Sequence, residues 1–91
     1  MENDFKINEE KKRFELTVEG KTALINYMMS GDVYQLVHTE VPAEHEGQGV
    51  GKDLVQQSLT YIKDQNKKMT PMCSFVAAYV KRHPEWQEIV A

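Results

Sequence analysis

Several things are scarce in this chain, and each scarcity excludes something. One cysteine, Cys73, stands in 91 residues, so no disulfide can close within the chain and a disulfide scaffold is ruled out. No apolar run approaches the ~18–20 residues that cross a bilayer. The opening "MENDFKINEEKKRF" lacks the apolar stretch of a secretory signal. Positive charge is also short: 11 Lys and Arg against 14 Asp and Glu leave a formal net charge of −3. General nucleic-acid binding needs a basic footprint, and this balance argues against it. Small anionic ligands stay open, because backbone amides and a few lysines suffice for them. The expectation is a cytoplasmic protein with neither membrane nor nucleic acid among its partners.

What is present is ordinary globular material, 41% hydrophobic and 27% charged. The length points to a single domain over residues 1–91. Such a domain buries a little over ~60% of its unfolded surface, enough for one core and no long lid. Nothing in the sequence sets the oligomeric state, and a monomer is the simpler expectation. There is no internal repeat and no low-complexity segment.

The first half reads as an antiparallel meander. Phe5 to Asn8 reads as a short strand, and "EEKKR" as a solvated turn. "FELTV" (Phe14 to Val18) alternates with the period of a half-buried strand. "TALINYMM" (Thr22 to Met29) puts Ala23, Ile25, Tyr27 and Met29 on one face, and "VYQLVHTEV" (Val33 to Val41) is rich in strand formers. "EGK" and "SGD" turn the chain between these runs. After Pro42, the spacing of Val50, Leu54, Val55, Leu59 and Ile62 predicts a helix reaching about Asn66. "KKMTPMC" (Lys67 to Cys73) is a short strand that Pro71 confines to an edge. "SFVAAYVKRH" is a second helix, with Ser74 as N-cap and an apolar stripe of Phe75, Val76, Tyr79 and Val80. Pro84 closes it, and Trp86 in the tail is expected to pack back on the body. The fold class is α/β (α+β): a mixed, mostly antiparallel sheet of about five strands with two main helices.

Three glycines, Gly47, Gly49 and Gly51, fall within five residues just before the first helix. The Walker loop fails at two positions, since Glu46 stands for its first glycine and Asp53 for Ser/Thr. The dinucleotide fingerprint fails at Lys52, where glycine is required, and four strands precede the loop. A [Q/R]-x-x-G-x-[G/A] loop between strand and helix fits Gly49-x-Gly51. Its physical use is direct: first-turn amides have no intrahelical acceptor, the helix dipole adds partial positive charge, and an anion can sit on both. A tight turn that binds nothing has the same composition.

Cys73 ends the fifth strand just before a helix N-terminus. It reads either as a reactive thiol or as a small buried hydrophobe. His38 and Glu40 fall on one strand face with Tyr34 and Leu36. They read as a base assembled from two groups, or as a histidine hydrogen-bonded to a neighbouring strand. His45 and His83 have no metal-ligand spacing with Cys73, and no metal site is expected.

Together, "HTEVPAEHEGQGVGKDLV" and, about twenty residues later, "PMCSFVAAYVKRHPEW" resemble the small single-domain branch of the GNAT N-acetyltransferase superfamily, over nearly the whole chain from Phe14 to Trp86. The resemblance implies acetyl-CoA (coenzyme A) as cofactor, its pyrophosphate on the amides of Gly47, Gln48, Gly49, Val50, Gly51 and Lys52. The strand ending at Val41 would splay from the next strand, and the pantetheine arm would lie in the gap. A backbone N–H near Val41 would polarise the thioester carbonyl, Cys73 would stand beside the thioester, and Tyr79 would protonate the departing thiolate. Tyr79 also reads as a core aromatic. Two departures stand out. Glu46 occupies a position usually held by Arg or Gln, which sets a carboxylate beside the pyrophosphate. Only a turn joins the strands where larger members place two helices, so the acceptor groove is expected to be open, suiting a protein tail or an exposed amine. The implied activity is acetyl transfer to an amine. The rival is a CoA-binding module with little or no activity, and a third reading is an interaction domain without cofactor.

Overall fold

The computed structural model describes residues 3–91. Four strands, β1 (Asn3–Asn8), β2 (Arg13–Val18), β3 (Lys21–Ser30) and β4 (Val33–Glu40), form an antiparallel meander. A 3-10 turn (Ala43–His45) and the glycine loop lead into α1 (Val50–Asp64). The chain then crosses to β5 (Lys68–Pro71), parallel to β4, and enters α2 (Ser74–Arg82) and a final 3-10 turn (Pro84–Ile89). The sheet order is β1-β2-β3-β4-β5, so one parallel pair makes it mixed. The expected strands and helices are all present. β5 is shorter than the expected Lys67 to Cys73, because Pro71 has no N–H to extend the ladder.

Alternation decides which strand face is dry. Phe14, Leu16 and Val18 of β2, Ala23, Ile25 and Tyr27 of β3, and Tyr34 and Leu36 of β4 are buried. They meet Leu54, Val55, Leu59 and Ile62 of α1 and Val76, Tyr79 and Val80 of α2 in one core. α1 packs on β2, β3 and β5, α2 packs on β4 and β5, and the helices touch each other. Both helices therefore lie on one face. Among the described residues no helix covers the other face, which carries Glu15, Asn26 and Met28. Met29 falls on the expected face but lies near the end of β3, where it is 38% exposed.

Phe14 is the centre of an aromatic cluster. Its ring lies 5.0 Å from Tyr27, 5.7 Å from Tyr34, 6.0 Å from Tyr61 and 6.2 Å from Phe5. At the opposite edge the tail folds back as expected: Trp86 packs against the core, and Ala91 N donates to Met69 O at 2.9 Å. That bond covers the outer edge of β5, which would otherwise offer an unpaired ladder.

One irregularity shapes everything downstream. Asn26 of β3 pairs with His38 and Tyr27 pairs with Leu36, so Val37 is an extra residue, a β-bulge in β4. A bulge bends its strand and shifts the alternation by one. His38 and Glu40 consequently do not share a face with Tyr34 and Leu36, as strict alternation predicts. They point to the open face, and Thr39 turns toward the helices beside Ile25. The β4–β5 ladder also stops here. Leu36 pairs with Pro71, and its carbonyl then accepts from both Met72 N (3.0 Å) and Cys73 N (2.9 Å). Beyond it, β4 runs on to Glu40 with no strand on its β5 side among the described residues, and the two strands part.

Candidate active site

The parting strands and the N-terminus of α1 enclose a cleft of about 480 Å³. Thr39 and Val41 of the β4 end, His45, Glu46, Gly47 and Gly49 of the loop, Gly51 and Lys52 of α1, and Phe75 of α2 line it.

Gly49 is the N-cap of α1, with φ 82° and ψ 5°. That left-handed conformation is cheap only without a Cβ. The first helical bond runs from Asp53 N to Gly49 O (3.0 Å). Among the described residues, the amides of Val50, Gly51 and Lys52 find no acceptor, and no side chain caps the helix. Three aligned donors and the dipole end of a four-turn helix thus open together. Gly51 has a different reason to lack a side chain. A Cβ there would stand 2.6 Å from Phe75 Cζ and 3.3 Å from Val41 Cγ2, so its glycine lets α1 and α2 close on the end of β4.

Cys73 is half-buried and is itself the N-cap of α2, in extended conformation, with Ala77 N donating to its carbonyl at 3.0 Å. The expected cap, Ser74, is instead the first helical residue, because the double bond to Leu36 O holds Cys73 at the strand–helix corner. The Cys73 Sγ lies 3.1 Å from Thr39 Oγ1. Thr39 is a functional candidate that strand alternation hides, since only the bulge at Val37 turns it inward. His45 is the other residue that sequence spacing passes over.

The remaining candidates are distributed as follows. Val41, Gly47, Gly49, Gly51 and Lys52 line the cleft. Gln48 folds back, its Nε2 donating to Glu44 O at 3.0 Å, and the Val50 side chain is buried. His38 Nε2 and Glu40 Oε2 lie 3.0 Å apart, both well exposed, on the sheet face opposite Thr39. Tyr79 is buried on α2 and packs its ring 4.3 Å from that of His83. Burial pushes its phenol above the ordinary value, the Trp86 side-chain hydrogen bond opposes this, and Glu85 and Asp53 push it further up. Tyr79 therefore keeps its proton at neutral pH. Phe75 is not part of the core stripe. At 41% exposure it faces the N-terminus of α1 and forms a wall of the cleft. Glu46, the acidic residue noted in the loop, also lines the cleft.

Comparison with known proteins matches this architecture. The family model for the GCN5-related N-acetyl-transferase domain fits residues 13–89. Protein NATD1 of Gallus gallus is 26% identical over 83 residues, covering 86% of this chain and 76% of that protein. Protein NATD1 of Homo sapiens is 25% identical over 84 residues, covering 87% and 74%. The NMR solution structure of a GCN5-like protein from Staphylococcus aureus superposes with a TM-score of 0.74 at 25% identity, covering 97% of this chain and 87% of that one. With the family model fitting residues 13–89 and the fold superposing over 97% of the chain, the chain belongs to the GCN5-related N-acetyltransferase family.

Proposed function

We propose that the protein transfers an acetyl group from acetyl-CoA to an amine. The observation that carries this reading is the set of amides at Val50, Gly51 and Lys52 left unpaired among the described residues, opening onto a cleft lined by Thr39, whose hydroxyl lies 3.1 Å from Cys73 Sγ. The residues present fit the cofactor: a helix N-terminus accepts a pyrophosphate, and a gap between strands accepts an extended chain. The bound cofactor would supply an activated thioester. This chain's residues would do the rest. The loop from Gly47 to Lys52 holds the anion, with Gln48 contributing backbone only. The free edge of β4 near Val41 offers a backbone donor where negative charge develops. Cys73, paired with Thr39, stands at the reacting centre. Tyr79, its proton retained, is the acid that serves the departing thiolate.

The amine must lose a proton. A lysine-like amine at pH 7 costs roughly 4–5 kcal/mol to deprotonate, so a base is useful. His38 and Glu40, hydrogen-bonded on the open face, are assigned to that task. An uncovered sheet face suits a protein tail or another exposed amine. Glu46 in the cleft lining favours the second reading, a CoA-binding module with little turnover, because a carboxylate there weakens the hold on a polyanion.

A steady-state assay of CoA release separates the two. Added peptides, polyamines or small amines accelerate release if the protein is a transferase. If CoA compounds bind but none of these acceptors accelerates release, the module reading replaces it.

A further inference from the structure

Beneath the glycine loop sits a histidine to which the proposed chemistry gives no task. His45 ends the 3-10 turn and is 3% exposed. Its Nε2 lies 2.8 Å from the carbonyl oxygen of Val18, the last residue of β2. A carbonyl only accepts, so Nε2 carries the hydrogen and donates it. With the hydrogen on Nε2, Nδ1 is the second polar atom of the ring, and it is buried with no partner among the described residues. A leucine or phenylalanine would fill the same space with no orphaned ring nitrogen, at the cost of the donor to Val18 O. An unmade buried acceptor costs about as much as one ordinary hydrogen bond returns. The made and the unmade bond of the histidine roughly cancel in stability, and its use lies in geometry.

The geometry concerns the loop. Gln48 N donates to His45 O at 3.2 Å, so the position of His45 sets the residue that precedes the N-cap Gly49. His45 also lines the cleft. A second polar link between this turn and the β2–β3 hairpin, Lys21 Nζ to Glu44 Oε2 at 3.6 Å, is solvent-exposed and holds little. The buried bond is the one that fixes distance and direction.

We propose that His45 is a positioning residue for the cofactor: its Nε2–H bond to Val18 O pegs the glycine loop to the β2–β3 hairpin and sets the amides of Gly49 to Lys52 for the incoming pyrophosphate. This rests on the reading that the cleft takes a CoA thioester. The peg acts before chemistry, so it governs affinity and not the rate of the bound complex. Glutamine can place an amide N–H where Nε2 stands, and phenylalanine keeps the ring shape without a donor.

The test is titration calorimetry with acetyl-CoA on wild type, His45→Gln and His45→Phe, with a thermal melt of each free protein. His45→Phe raises the Kd about tenfold, the equivalent of one lost hydrogen bond. His45→Gln restores it, and both variants melt near the wild type without ligand. With a responsive acceptor, His45→Phe raises KM for acetyl-CoA and leaves kcat unchanged. Wild-type affinity in His45→Phe overturns the peg, as does a His45→Gln variant as weak as His45→Phe. A large fall in the melting temperature of free His45→Phe assigns the residue to stability instead. A wild-type protein that does not bind acetyl-CoA removes the functional reading itself, a result distinct from all of these.

Discussion

Cys73→Ala is expected to turn over about 10²-fold more slowly or worse, the scale on which a positioned proton-transfer or nucleophilic group acts, while still binding acetyl-CoA. The thiol stands at the corner where β5 becomes α2, and Thr39 is its hydrogen-bond partner. Two structural devices put it there: the double bond from Met72 and Cys73 to Leu36 O, and the bulge that turns Thr39 inward. Removing Sγ leaves the Thr39 hydroxyl half-buried without that partner, at a cost of about 1 kcal/mol. Cys73→Ser keeps a hydroxyl for Thr39 and separates the two effects. Its stability stays near wild type, and its turnover falls with that of the alanine variant. Turnover at the wild-type rate in Cys73→Ala takes Cys73 out of the reacting centre and leaves it a structural corner.

The second large effect is on the scaffold. Phe14→Ala is expected to lower stability by about 3–5 kcal/mol, the range for emptying a buried aromatic site. Phe14 is fully buried and touches Phe5, Tyr27, Tyr34 and Tyr61, so the cavity opens among rings that cannot all collapse into it. Small domains have only ~5–15 kcal/mol to lose. The urea midpoint falls steeply, and Phe14→Leu, which leaves a smaller void, falls less. The folded fraction of either variant keeps its affinity for acetyl-CoA, because Phe14 is not part of the cleft. A midpoint close to wild type in Phe14→Ala contradicts the packing described.

Much of this fold is legible in the amino-acid order. The alternation through Phe14, Leu16 and Val18, and the spacing from Val50 to Ile62, each correspond to a buried face. Pro71 marks an edge strand because it lacks an amide. The bulge at Val37 is not legible, since an extra residue opposite Asn26 and Tyr27 is defined by the partner strand and leaves no mark in the period of β4. That single shift moves His38 and Glu40 to the open face and brings in Thr39. Phe75 misleads for a related reason. It sits at helical spacing with Val76 and Tyr79, but in the first turn of α2 it meets Gly51 of α1 before it meets the core. The glycines themselves are visible, and their separate reasons are not. Gly49 serves a left-handed N-cap, while Gly51 serves the approach of Phe75 and Val41. His45 looks like any loop histidine until Val18 O is placed against it.

The central claim is that the free amides at the start of α1 hold a pyrophosphate. The most direct test is the melting temperature with and without saturating acetyl-CoA, with pantetheine as the control that lacks the pyrophosphate. At 100 times its Kd a ligand stabilises by about 2.7 kcal/mol, a shift of several degrees for a domain of this size. A clear shift with acetyl-CoA and a much smaller one with pantetheine is the predicted result. No shift with any CoA compound, or an equal shift with pantetheine, contradicts it.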